Sequence, residues 1–301
     1  MKRYLAITAI IITTAFWGVS YTSTIIALGA LSPVQVGLVR FGLVAILWHF
    51  LVGKRKSIEK KDWPRLFLAG MIGIPLYYCF ENIGLSYTSA SSGSLIIATI
   101  PGLNLLAGRI IWKERYPAFQ LLGVFLSIIG VFLIIFSQAS TAGEDSILGN
   151  ILILGSALSW VAFIRLNQPL TEKYASLTLI YWQSLIGGLS FALFSLIEGK
   201  WANFHVSNLN GEVILHLAIL TLLCSGAAYL FYFFAQSELG PTVTTTYLNL
   251  IPVFGVLTGI LVLGEELAFA QLIGGLIVII GIYLVTKEHQ NKVIRDASKT
   301  I

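Results

Sequence analysis

One stretch of this chain occurs twice, and that repetition constrains the fold more than any single motif. Residues 89–133 recur as residues 240–284 without a gap, setting Pro101 on Pro252, Gly108 on Gly259, Glu114 on Glu265, Gln120 on Gln271, Gly123 on Gly274 and Gly130 on Gly281. Each copy is an apolar run with one proline, a short polar break at the glutamate, and a second apolar run rich in glycine. Two helices joined by a tight turn fit this pattern, and a run of about twenty residues crosses the ~30 Å hydrocarbon core of a bilayer.

The rest of the chain continues the theme. With 56% hydrophobic and 11% charged residues and a mean hydropathy of +0.85, the composition excludes an ordinary soluble domain. Ten spans are expected, at residues 4–28, 33–52, 65–86, 90–112, 118–137, 148–169, 176–198, 213–236, 242–263 and 267–286. The expected fold is an all-α membrane protein of ten transmembrane helices in two inverted five-helix repeats. Inversion follows from the odd number of spans per repeat, which forces the halves to enter the membrane in opposite senses. The first repeat fills 1–137, a short polar linker 138–147, the second repeat 148–286, and a charged cytoplasmic tail 287–301, expected to be frayed or disordered. The run after Met1-Lys2-Arg3 is too long for a cleaved signal peptide and carries Trp17, so it reads as a retained anchor.

The net charge of +5 could suggest a nucleic-acid partner, but the basic residues sit at the ends of the apolar runs, where they act as topology signals, and no nucleic acid is expected. With both termini cytoplasmic, in the cell inner membrane, the cytoplasmic side receives Lys54, Arg55, Lys56, Lys60, Lys61, Arg109, Arg165, Lys173 and the basic residues of the tail, against Lys200 alone outside. These basic margins contact anionic membrane lipid as anchors. Cys79 and Cys224 read as small buried hydrophobes, with no disulfide. The four histidines are not at ligand spacing, so no metal and no cofactor is expected. There is no phosphate loop, HExxH or GxSxG, which argues against an ATP-driven pump and against an intramembrane enzyme.

A specific order of short signatures accompanies the repeat. In the first half it is Ala15-Phe16-Trp17-Gly18, Pro33 with Arg40-Phe41, Gly84-Leu85-Ser86-Tyr87-Thr88-Ser89-Ala90, Pro101, Glu114, and Gly123 with Gly130. In the second it is Ala157-Leu158-Ser159-Trp160, Pro252, Gly264-Glu265, Gly274 and Gly281. Over nearly the whole chain this resembles two EamA domains of the drug/metabolite transporter superfamily. The resemblance implies ten helices, exchange of small polar or amphipathic solutes, and no ATP; it does not name a solute. Gln183 stands where the second repeat would match Arg40, so any role of that arginine is asymmetric.

Helical periodicity selects the candidate site. Thr13, Trp17, Tyr21 and Thr24 share one face of the first span, and Ser156, Trp160, Phe163 and Asn167 share one face of its repeat partner. Such stripes either join helices or line a wet cavity. In the third span Tyr77, Tyr78 and Glu81 share a face, with Asn82 adjacent; in the eighth, Tyr232 stands at the position of Glu81, beside Tyr229 and Gln236. Tyr247 and Asn249 precede Pro252. Glu81 is the acid well inside a span, where an ionised carboxylate is costly unless paired or hydrated. It and Arg40, at similar depth, are either a permanent pair that holds two spans together or the coupling groups of a solute or proton path. Pro101 and Pro252 are expected hinges, the paired glycines packing devices, and Glu114 and Glu265 caps or turn hydrogen-bond acceptors. The expected activity is export of small organic solutes, such as amino acids or related metabolites, by alternating access, with protons as candidate co-substrate. The alternatives are efflux of cationic compounds and, further off, a non-transport membrane subunit or an intramembrane enzyme.

Overall fold

The computed structural model describes residues 2–51, 57–111, 113, 115–136, 146–200 and 209–298, without the side chains of 241, 242, 246 and 285–298. Glu114, Lys54, Arg55, Lys56, most of the linker and the side chains of the tail therefore lie outside the described residues. The elements are helical throughout this set. Two long helices, α1 (Lys2–Leu28) and α2 (Pro33–Leu51), open the chain. A broken rod follows, formed by α3 (Trp63–Met71), a π-helical segment (Ile72–Leu76) and α4 (Tyr77–Leu85). A second broken rod is α5 (Ala90–Ile97) with α6 (Ile100–Ile111), and α7 (Ala118–Ile135) closes the half.

The second half follows the same sequence of shapes. It contains α8 (Ile147–Lys173), α9 (Ser176–Glu198), then α10 (Gly211–Ala218), a π segment (Ile219–Ala227) and α11 (Ala228–Leu239). After these come α12 (Pro241–Tyr247), a 3₁₀ turn (Leu248–Leu250), α13 (Ile251–Thr258) with a π segment (Gly259–Leu263), and α14 (Phe269–Ser298). Among the described residues nine helical stretches are long and apolar enough to cross a membrane, and Phe269–Leu284 is a shorter apolar one. This is an integral, multi-pass membrane protein.

Three details differ from expectation. Pro169, expected at a span edge, lies inside α8, which runs on to Lys173. The tail, expected to be frayed, continues α14 to Ser298, since neither glycine nor proline interrupts residues 287–298. Pro75 lies inside the third rod, in its π segment, where the widened turn accommodates a residue with no amide donor.

Packing relates the halves by exchange. Helix α1 lies against α11 and α13, and its counterpart α8 lies against α3, α4, α5 and α6. The like pairs α2 with α9 and α7 with α14 complete the arrangement. Exchanging the halves carries α1–α11 onto α8–α4 and α1–α13 onto α8–α6, an approximate two-fold relation about an axis between them. Lipid tails are as apolar as the helices, so burial of hydrocarbon drives their association little and close backbone approach matters more. At the α7–α14 contact the Gly274 carbonyl occupies the space that a Gly130 Cβ would need, and the Gly130 carbonyl does the same to Gly274. The paired glycines of the repeat are thus in mutual contact, and Gly281 meets Gly123 in the same way one step along.

The axis is visible in side chains. Trp17 and its counterpart Trp160 meet edge to face with ring centroids 5.2 Å apart. Tyr229 donates a hydrogen bond of 3.4 Å to the hydroxyl of its counterpart Tyr78. Around these pairs the π segments widen the helical turn and open their carbonyls to further donors. Side chains from the other half add hydrogen bonds there. The Trp17 indole N–H donates to the Cys224 carbonyl at 3.0 Å, and the Ser159 hydroxyl donates to the Ile72 carbonyl at 2.8 Å.

Candidate functional site

The rods α5–α6 and α12–α13 are each interrupted just before a proline. Pro101 is the second residue of α6 and Pro252 the second of α13, in the first turn, where an amide has no helical acceptor and its loss costs little. The expected mid-helix kinks are thus a two-residue turn at Ala98-Thr99 and a 3₁₀ turn at Leu248–Leu250. Thr99 repairs one of them by donating its hydroxyl to the Ile96 carbonyl at 2.6 Å. The residues on either side of the breaks, Ile97 and Ile100 in one rod and Leu248 and Ile251 in the other, form the apolar side of a cavity.

Its other side is aromatic and acidic. Trp17, Tyr21, Tyr77, Tyr78, Trp160 and Glu81 line it, with Ser20 between the rings of α1. Six residues singled out by periodicity therefore converge on one space. Side chains nearly fill it: the free room is about 20 Å³, little more than one water. Tyr229 and Tyr232 stand behind this wall, with Tyr232 5.2 Å from the Trp17 ring and 5.5 Å from the Trp160 ring. Four other expected residues do not line the cavity. Asn82 turns to the start of α2 and donates to the Pro33 carbonyl at 2.9 Å, and Asn167 accepts from Gln183 at 2.7 Å. Tyr247 packs half-buried against the core, and Asn249 keeps a buried side-chain oxygen with no hydrogen bond.

Glu81 is 2% exposed and Arg40 fully buried. The carboxylate accepts from Tyr77 at 2.6 Å through Oε2, and Tyr21 also hydrogen-bonds to it. Its Oε1 lies 4.0 Å from Arg40 Nη1 and has no hydrogen bond. Arg40 is held otherwise: Nε donates to Ser225 at 3.1 Å, Nη1 to Thr24 at 3.4 Å, the guanidinium lies 4.4 Å from the centre of the Tyr78 ring, and Nη2 has no partner. Two unit charges 4 Å apart attract by about 4 kcal/mol at an effective dielectric of 20. Removing two ions from water costs several kcal/mol each, so attraction alone does not hold this pair, and the tyrosine and hydroxyl contacts decide the balance. Arg40 does not reach the cavity wall, whereas Glu81 does.

The second half repeats this framework without charge. Gln183 takes the place of Arg40 and Asn167 that of Thr24, and the two are hydrogen-bonded as their counterparts are. Tyr232 takes the place of Glu81. The Trp160 indole N–H and the Tyr232 hydroxyl lie close together, short of a hydrogen bond, and neither has another partner. The same cavity is thus lined by an acid with an unpartnered oxygen and by a tryptophan whose indole N–H has no acceptor.

Sequence reasoning overlooked the isoleucines and Leu248 at the breaks, although the two prolines marked their place, and Pro75, itself a visible signal. It read Glu265 as a cap or turn hydrogen-bond acceptor; the structure has it accept the first amides of a helix in the other half. Its Oε1 accepts from the Ala90 amide at 2.7 Å, and Oε2 from the Ser91 amide at 3.0 Å and hydroxyl at 2.5 Å.

Comparison with known proteins accords with this arrangement. An uncharacterized transporter of Archaeoglobus fulgidus is 30% identical over 285 residues, covering 93% of this chain and 96% of its own. The uncharacterized transporter YyaM of Bacillus subtilis is 28% identical over 274 residues, covering 89% of this chain and 88% of its own. A solved crystal structure shares the fold with a TM-score of 0.62 at 16% identity, covering 95% of this chain and 97% of that one. The EamA-like transporter family matches residues 4–136 and again 147–287, so that two copies of its domain account for almost the entire sequence, and the chain belongs to that family.

Proposed function

We propose that this transporter exports small organic solutes with an amine and an apolar body, amino acids or related metabolites, across the cytoplasmic membrane by alternating access. The observation that carries this reading is Glu81: a buried carboxylate with one unpartnered oxygen, at the wall of an aromatic cavity on the axis between the halves. The acid binds the ammonium group, and the rings of Trp17, Tyr77 and Trp160 cover the apolar body. Arg40, behind the wall, lies 4.0 Å from the carboxylate and competes with solute or a proton for its charge. Two halves of five spans related by the axis enter the membrane in opposite senses, and such a molecule opens to either face at similar energy. The collapsed cavity supports this cycle, since its walls must part before a solute enters. The distribution of lysine and arginine supports cytoplasmic termini.

A second reading, efflux of organic cations, draws on the absence of Arg40 from the wall, which leaves an acid among aromatic rings suited to cation-π contact. Counterflow separates the two. Purified protein in liposomes preloaded with a mixed pool of amino acids, amines and metabolites should exchange one class saturably, as read by mass spectrometry. Exchange of zwitterions supports the first reading and of amines without carboxylates the second; no exchange with or without a proton gradient would remove both.

A further inference from the structure

We propose that Glu265 is a positioning residue of the transport cycle, a latch between the two moving units that holds the cavity shut on the face where α5 begins. The packing scheme defines these units. Helix α1 travels with α11 and α13, and α8 with α4, α5 and α6, the cavity lying between the groups. Glu265 follows the π segment after α13 and belongs to the first unit; Ala90 and Ser91 open α5 and belong to the second. The three hydrogen bonds between them therefore cross the divide.

The surroundings are shaped for this contact. Gly264, at φ +67°, takes the left-handed conformation that turns the chain back after the π segment, and the Glu265 amide donates to the Gly259 carbonyl at 3.2 Å. A side chain at Gly259 would collide with the Glu265 carboxylate and the Ser91 hydroxyl, and one at Gly255 with Ser94, so glycine is what lets α13 reach α5. Gln271 of α14 adds a further bond to the start of α5, donating to Ser92 at 2.7 Å. The carboxylate accepts the amides that open α5, where its negative charge is favoured by the helix dipole. This face cannot open while the contact stands, because α5 and α13 are the two elements that meet there. Loss of a charge-assisted cluster of this kind shifts the closed-to-open ratio by about tenfold or more.

This rests on the alternating-access reading, and accessibility tests it without knowledge of the solute. In a chain carrying Cys79→Ala, Cys224→Ser and the reporter Ser20→Cys in the cavity, a membrane-impermeant maleimide is applied to whole cells and to inverted vesicles. Glu265→Ala should raise the labelling rate about tenfold from the Glu265 face and lower it from the other. Ser91→Ala, which removes the hydroxyl and spares both amides, should give a smaller rise in the same direction. If Glu265→Ala does not fold, Glu265→Gln, which places amide hydrogens against the helix donors, should give the same shift. Labelling from the opposite face alone, at rates unchanged by these substitutions, would overturn the latch and leave alternating access standing. No labelling from either face in any variant would overturn both.

Discussion

Replacing Glu81 by glutamine removes one negative charge and keeps the shape of the side chain, and the structure sets the scale of the result. The carboxylate has an unpartnered oxygen, so a bound ammonium group would gain a charge-assisted hydrogen bond worth about 1.5–3 kcal/mol. At ~1.4 kcal/mol per decade, Glu81→Gln should raise the half-saturation concentration in counterflow by about ten- to a hundred-fold. The same change strands Arg40. Breaking a buried pair costs up to ~3–5 kcal/mol, but this pair is at 4.0 Å without a hydrogen bond and Arg40 keeps Ser225, Thr24 and the Tyr78 ring, so the loss of thermal stability should fall at the low end. Arg40→Gln and the double variant complete a cycle that separates the two effects. If Glu81 recognises solute, the double variant regains stability and not affinity. Should it regain both, or should Glu81→Gln alone leave the half-saturation and its pH dependence unchanged, the pair is structural and the reasoning fails.

Four further outcomes follow from particular contacts. Tyr77→Phe deletes the 2.6 Å bond to Glu81 and should alter half-saturation by up to about tenfold with little change in melting temperature; an unaltered pH profile would separate Tyr77 from the acid. Pro101→Ala and Pro252→Ala should let helix propagate across the breaks and slow turnover more than they weaken binding, as single-turnover flux against equilibrium binding would reveal. Gly130→Ala should cost about 1–3 kcal/mol in detergent unfolding, because the Gly274 carbonyl cannot yield as a side chain would; neutrality there would show that α7 and α14 can slide apart. At the α2–α3 loop, hydrogen bonds from Lys173 and then Lys61 hold Glu59 below the usual carboxylate range. Its contribution is therefore complete above the ordinary value near pH 4.3 and is lost as pH falls through the lowered one. Glu59→Gln should flatten that acid decline and have no effect on its slope near neutrality.

The spans and the aromatic convergence were legible because both rest on local periodicity. Apolar runs of fixed length located α1, α2 and α9 to within two residues, and recurrence of Trp17 at Trp160 marked the two helices that meet on the axis. The approach of Arg40 to Glu81 followed from depth alone. What escaped depends on register or on distant partners. A π segment has no composition of its own: Pro75 announces one, while those at Ile219–Ala227 and Gly259–Leu263 contain no proline, and Trp17 donates to a carbonyl of the former from another helix. Asn82 and Asn167 share helix faces with cavity residues yet are taken up by Pro33 and Gln183, contacts invisible to spacing. Glu265 looked like a turn residue since its acceptor role is indeed at a turn, and nothing local says that the donors come from 174 and 175 residues away.

The meeting of counterpart residues on the axis has a consequence for how such a molecule can be altered. Under the proposed alternating access, Trp17 and Trp160 would exchange roles when the two faces exchange, so changing both together should remodel the solute's surroundings equally in the two orientations and leave the bias between them in place. Arg40 and Glu81 have no such twins, as Gln183 and Tyr232 stand in their positions. A change at either weighs on one orientation more than the other. Paired substitutions on the axis thus tune what is carried, and single substitutions off it tune which way the resting molecule faces.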